Sequence, residues 1–236
     1  MHVYLIAGAA VWGLAGGLLV PRAAYRLAVP AGEPWAAVCP AGHAIRGWLG
    51  PARCPACATP PYGLGYGAAA AGALACGALA LTLGAHPELV VWLLLVPVGL
   101  VLARVDLLVF RLPDVLTLPA LPVTAALLGL AALLPAHDGS WTRALLAAVA
   151  VGAIYLVMFL VNPAGMGFGD VKLAPTLGLS LGWYGWPSVV TGTFAGLALG
   201  ALAGLLLIAG RRATRKTAIP FGPFMLIGAL GALLIG

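Results

Sequence analysis

Apolar residues in this chain come in long unbroken blocks, with neither the alternation of a half-buried strand nor the stripe of a surface helix. The blocks lie at about 3–20, 67–84, 89–105, 115–135, 143–161, 173–186, 188–210 and 218–235. A membrane-crossing helix needs roughly 20 mostly apolar residues, and most of the blocks approach that length. The sixth is shorter and broken by glycines, which predicts a tilted or partly protein-buried helix. The pattern therefore predicts an all-α polytopic membrane protein of about eight transmembrane helices. Polar and turn-forming residues concentrate between the first two blocks, where Pro30, Pro34, Pro40, Pro51, Pro55, Pro60 and Pro61 break any helix. Three parts follow: a first span at 1–20, a small insert at 21–66 and a transmembrane body at 67–236.

Composition agrees with the blocks. The chain is 63% hydrophobic and 8% charged, against about 25% charged for an ordinary soluble domain. The net charge of +6 raises the question of nucleic acid. Its placement answers that question. With the N-terminus outside and eight crossings, Arg22, Arg26, Arg46, Arg53, Arg104, Arg111, Lys172, Arg211, Arg212, Arg215 and Lys216 all fall on the inner side. Only Arg143 falls outside. Eleven of the 12 basic residues on one side orient the chain in a cell membrane, so the partner implied is membrane lipid and no nucleic-acid footprint is needed. The first block has no basic segment before it and two arginines after it, which reads as a retained span, not a cleaved signal. The insert then faces the cytoplasm.

Three of the four cysteines lie in that insert. Cys54 and Cys57 form a C-x2-C pair, and Cys39 and His43 lie in C-P-A-G-H upstream. In a reducing compartment such a set suggests a structural zinc ion held by Cys39, His43, Cys54 and Cys57. An insert of this size has too small a core to fold alone, and a metal would supply the missing free energy. The bland alternative is that Cys39 and His43 are incidental. Cys76, inside the second block, reads as a small apolar filler.

Only six acidic residues are present. Glu88 and Asp138 fall in outer turns and Glu33 in the insert, where solvation is the simplest expectation. Asp106 closes the third block and Asp170 follows N-P-A-G-M-G-F-G, so two carboxylates far apart in the chain are expected at one membrane depth, at its cytoplasmic boundary. Charge in that position is costly and points to function. Two close carboxylates can share one proton: the ionised one activates water and the protonated one donates to a peptide carbonyl. Gly167 and Gly169 would let a substrate backbone run close to Asp170. The bland alternative pairs Asp106 with Arg104 or Arg111, and Asp170 with Lys172. Asp114 is expected to cap the fourth helix, with substrate positioning as its rival role.

These residues carry a resemblance. G-F-G-D-V-K-L at 167–173 resembles the G-x-G-D-x-K-L signature of the type IV prepilin peptidases, which are membrane aspartyl proteases. D-L-L-V-F-R-L-P-D-V-L-T-L-P at 106–119 is similar to the family's first catalytic segment, I-P-F-G-P-F-M at 219–225 to its last-helix motif, and G-G-L-L-V-P-R-A-A-Y-R-L at 16–27 to the end of its first span. The resemblance implies catalysis by Asp106 and Asp170, with Asp114, Gly167, Gly169 and Lys172 near the substrate. It implies cleavage of short basic leaders from prepilins or pseudopilins, at the cytoplasmic face and after a glycine, in the service of type IV pili or protein secretion. It also implies N-methylation of the new terminus with S-adenosylmethionine, to which no residue here is assigned. The insert looks like the family's cysteine-bearing domain, which usually has two C-x2-C pairs; here the first is altered, with Gly42 where a Cys would be expected and His43 beside it. A small transporter using intramembrane Asp residues, or a non-catalytic metal-bearing scaffold, are the competing readings. A transporter would favour a deeper carboxylate and repeated halves, and the sequence has neither.

Overall fold

A computed structural model describes residues 2–57, 66–163, 165–212, 217 and 219–235. Pro60, Pro61, Arg215 and Lys216 lie outside the described residues. The described chain is all-helical. Its helices are α1 (His2–Leu27), α2 (Tyr66–Leu83), α3 (Glu88–Val109), α4 (Asp114–Ala131), α5 (Trp141–Val161), α6 (Phe168–Tyr184), α7 (Trp186–Ala209) and α8 (Gly222–Ile235). Six of them, α1 to α5 and α7, are long and apolar enough to cross a membrane. Helix α6, at 17 residues, and α8, at 14, are shorter.

Three helix ends differ from the apolar blocks. Helix α1 continues beyond its block through Pro21 to Leu27, because Arg22 and Arg26 find backbone carbonyl partners in the insert. Helix α3 runs on to Val109, so Asp106 lies within it. Helix α6 begins at Phe168, which puts Asp170 and Lys172 inside the helix and not in a loop before it.

The chain divides into two compact units, residues 1–111 and 112–236. In the first, α1 packs on α2 and α3 through small residues. A side chain at Gly13 or Gly72 would strike the facing backbone, and one at Gly16 would press on Pro97. Such close backbone approach is a main source of helix cohesion in lipid, where apolar burial between helices gains little.

The insert folds back on the end of α1. Arg22 donates from Nη1 to the carbonyls of Arg46 (2.8 Å) and Leu49 (3.1 Å) and from Nη2 to that of Pro51 (3.4 Å). Arg26 donates to the carbonyls of Ala36 (3.2 Å) and Gly47 (2.8 Å), and its guanidinium stacks 4.0 Å from the centre of the Trp48 ring. Arg111 donates from Nη1 to the carbonyls of Val29 (3.2 Å) and Pro30 (2.9 Å). These cations serve as staples for a loop with little core of its own.

In the second unit, α6 lies against α5. Gly178 approaches Ala147 and Val151, Gly182 approaches Ala147, and Gly152 receives Pro175. Helices α7 and α8 meet where Gly228 lies against Gly192 and Gly196. A single residue, Gly185, joins α6 to α7 at φ 149°, a conformation that favours glycine. Arg143, the exception to the charge asymmetry, has a local purpose. It donates to the carbonyls of Gly182 (3.0 Å) and Trp183 (2.8 Å), the last turn of α6, where a cation is favoured.

Glu88 departs from expectation. It opens α3 and is buried, at 1% exposure, whereas Asp138 is exposed as a solvated turn residue would be.

Candidate active site

The two carboxylates singled out by the sequence occupy opposite kinds of helix end. Asp106 lies in the last turn of α3 and is 4% exposed; Asp170 lies in the first turn of α6 and is 5% exposed. Among the described residues they are two of only three buried acidic side chains, with Glu88 the third. Asp106 is followed by an abrupt stop. Phe110 adopts φ 53°, and its N–H closes the helix on the Asp106 carbonyl at 2.9 Å. A left-handed phenylalanine costs about 1–2 kcal/mol. The next residue, Arg111, is fixed by its two carbonyl bonds, which hold the reversal in place. Arg111, a candidate partner for Asp106, thus binds the insert through Nη1.

Asp170 is placed by Gly167, which precedes the helix in extended conformation, and by its own N–H on the Gly167 carbonyl at 3.1 Å. The glycines before it are needed for space and not for unusual dihedrals. None of Gly165, Gly167 and Gly169 has positive φ. A Cβ on Gly169 would come within 3.0 Å of the Leu112 side chain and 3.2 Å of its backbone nitrogen. A Cβ on Gly167 would lie 3.3 Å from Asp170 Oδ2. The G-x-G-D frame thus lets the start of α6 press onto the segment leading into α4, and it leaves the space beside Asp170 Oδ2 free of a side chain from position 167.

The same contact brings Asp114 and Lys172 together. Lys172 Nζ donates to Asp114 Oδ1 at 2.7 Å and lies 5.0 Å over the Phe168 ring. This corrects one expectation and adds a contact. Asp114 does not cap α4 by its side chain; Pro113 holds the cap position and Asp114 sits in the first turn. Lys172, expected near Asp170, is engaged with Asp114.

In the insert, Cys39, His43, Cys54 and Cys57 converge, with all ligand atoms within 4.8 Å of one another. Cys39 Sγ lies 3.6 Å from Cys57 Sγ and 3.7 Å from His43 Nδ1, and His43 Nδ1 lies 3.2 Å from Cys57 Sγ. A tetrahedral ion with bonds of about 2.3 Å to sulfur needs donors roughly 3.8 Å apart, so the set fits zinc. The turn that delivers His43 is closed by Gly42 N–H on the Cys39 carbonyl and Cys39 N–H on the His43 carbonyl, both 2.8 Å. Gly42 has φ 84°, which explains a glycine there and leaves the ligand role to the next residue. Burial pushes the Cys39 thiol up. Hydrogen bonds from the His43 and Ala41 backbone, the His43 ring and Cys57 outweigh that and leave it lowered to about 6. A thiolate at neutral pH is the form that binds metal.

Sequence reasoning missed the staples. Arg22, Arg26 and Arg143 entered it only as charges, and Arg111 as a charge or as an ion-pair partner for Asp106. Their fork of N–H donors, beside a non-helical insert or a helix end whose carbonyls need partners, was the available signal.

Together these features describe an integral membrane protein with two buried acidic helix ends and a thiol–imidazole insert. Comparison with known proteins gives the class a family. Residues 93–204 match the type IV leader peptidase family. A protein of Burkholderia pseudomallei strain K96243 named prepilin leader peptidase/N-methyltransferase is 35% identical over 237 residues, covering 91% of this chain and 70% of that one. Proteins of the same name from Aeromonas salmonicida (36% over 152 residues, 61% of this chain and 48% of that one) and Pseudomonas aeruginosa PAO1 (35% over 130 residues, 53% and 42%) are also similar. The chain belongs to the type IV leader peptidase family and is a peptidase. No solved structure matches it.

Proposed function

We propose that this chain is an aspartyl endopeptidase that removes the short basic leader of prepilin-like proteins, cutting after a glycine at the cytoplasmic face of the membrane. The observation that carries the reading is the pair of buried carboxylates, Asp106 and Asp170, each in a segment of a family member where charge would otherwise be avoided. In this reading the two act on one scissile amide. The ionised carboxylate takes a proton from water as its oxygen attacks the carbonyl carbon. The protonated one gives its proton to the carbonyl oxygen, and a proton then passes to the leaving amine as the C–N bond breaks. Two such groups at close range cannot both ionise cheaply, so the pair would divide one proton and titrate as a unit.

Gly167 and Gly169 would give the substrate backbone access beside Asp170, and Asp114 with Lys172 would receive the polar residues of the leader. The inner face is itself basic, so the acidic residues at the site, not the overall field, would attract a basic leader. The charge asymmetry supports an N-terminus outside and an active site facing the cytoplasm. Cys39, His43, Cys54 and Cys57 would hold a structural zinc ion that stabilises the insert. N-methylation of the new terminus with S-adenosylmethionine rests on the names of the relatives.

The test is co-expression with a prepilin and mass spectrometry of the product. The expected result is loss of the leader after a glycine, with any added methyl read in the same spectrum. Cleavage at the wild-type rate by a stably inserted Asp106→Asn or Asp170→Asn protein would overturn the reading.

A further inference from the structure

We propose that the Gly47–Gly50 turn of the insert is a membrane-surface anchor, with Trp48 and Leu49 seated in the headgroup region of the leaflet at the Arg22 end of α1. This needs only that α1 crosses the membrane, so it stands apart from the peptidase reading.

The turn is fixed at a definite depth. Gly50 N–H donates to the Leu19 carbonyl at 2.7 Å, and Arg22 N–H donates to the Gly50 carbonyl at 3.1 Å. The apolar stretch of α1 ends at Val20. From Val3 it rises about 27 Å at 1.5 Å per residue, close to the roughly 30 Å of a hydrocarbon core. Leu19 therefore lies at the edge of that core, and the turn bonded to it lies in the headgroup zone.

The turn cannot drift from that position. Arg22 holds the carbonyls on both sides of it, and Gly50, at φ 131°, lets the guanidinium approach so closely that a Cβ would stand 3.1 Å from it. Rigid in this way, it presents apolar side chains outward. Leu49 is 63% exposed and Trp48 37%, and Trp35, 48% exposed, packs edge-on against Trp48 at 4.9 Å.

The occupant follows from position and charge. Leu18 and Leu19 of α1 are exposed too, and the turn is bonded to the Leu19 backbone, so exposed Leu49 stands beside a spanning helix whose outer face meets lipid. Tryptophan is enriched at this level because its ring is apolar and its N–H is polar. The Arg46 side chain, exposed beside the turn, suits lipid phosphates and anionic headgroups. Arg22 is already committed to carbonyls, which leaves Arg46 for that contact.

The experiment places a photoreactive residue on the surface of the full-length protein in vesicles of equimolar phosphatidylcholine and phosphatidylglycerol. Leu49→p-benzoylphenylalanine is compared with Glu33→p-benzoylphenylalanine, an exposed site beyond the end of α1. Phospholipid adducts several-fold more abundant at position 49 than at 33 are expected by mass spectrometry. Equal yields at the two sites, or adducts at 49 to protein only, overturn the proposal. A measurement on otherwise native chain guards against a misfolded variant. The fluorescence lost in Trp48→Phe should be quenched by lipid brominated near the carbonyl end of its chains. If instead that component resists brominated lipid and yields to aqueous iodide, the turn faces water and the proposal fails.

Discussion

The two units solve one problem, holding a buried carboxylate at a helix end, by different means. In residues 1–111 the work falls to arginine. Arg22, Arg26 and Arg111 bind backbone carbonyls of a loop that has little core, and Arg111 fixes the reversal just after Asp106. In residues 112–236 it falls to glycine. Gly178 and Gly182 bring α6 onto α5, and Gly169 brings the start of α6 onto Leu112. Cation staples are exchangeable polar contacts and tolerate a conservative replacement. Backbone approach admits none, because any side chain occupies the space the neighbour needs. The two means should therefore fail differently.

The largest effect should come where both units meet the same chemical demand. On the proposed reading, Asp106→Asn and Asp170→Asn should each lower prepilin cleavage by on the order of 10³-fold or more with unchanged membrane insertion, the loss expected for one member of a cooperating catalytic group. A gel-shift assay of leader removal reads this.

Next is the insert. Wild-type protein is expected to carry about one zinc per chain by elemental analysis, and Cys57→Ser to lose most of it, because structural zinc sites use four ligands. Acidity should act in the same direction. The Cys39 thiol is lowered to about 6 in the folded chain, so its thiolate is present at neutral pH. The stabilisation it brings is complete above the ordinary thiol range and is lost as pH falls through about 6, so zinc affinity should begin to weaken below that pH, with release at lower pH still.

Third, Gly178→Val sharpens the comparison on the glycine side. A Cβ there would stand 2.6 Å from the Ala147 carbonyl, and overpacking of this kind costs typically 1–3 kcal/mol or more. A clear fall in melting temperature in detergent is expected, with Gly178→Ala intermediate and no substitution restoring the wild type.

Fourth, Arg111→Gln should cost about 1.5–3 kcal/mol of local order through the lost charge-assisted bonds, lowering kcat more than it raises KM. One nitrogen, Nη1, makes both bonds, so Arg111→Lys should recover most of the activity. That rescue separates a staple from a packing contact; equal damage by Gln and Lys would erase the distinction drawn between the units.

The smallest effect belongs to the Asp114–Lys172 pair. Its side chains are 54% and 24% exposed, and exposed pairs contribute about 0.2–1 kcal/mol. A double-mutant cycle with Asp114→Asn and Lys172→Gln should give a coupling in that range, diminished by salt.

The sequence by itself determined the membrane class, the helix order, the two acidic segments and the cysteine–histidine set. Each of these depends on local composition: apolar length against bilayer thickness, the rarity of charge in such a chain, and ligand types at short spacing. The tertiary structure decided what local composition cannot. It extended α1 past Pro21 because Arg22 and Arg26 found carbonyls far along the chain. It placed Asp170 within α6, paired Lys172 with Asp114 across 58 residues, and buried Glu88. It gave the glycines before Asp170 a steric reason, since a close approach exists only once two segments are packed together. A side chain's partner is fixed by where distant backbone comes to rest, and no local pattern of hydrophobic and polar residues records that.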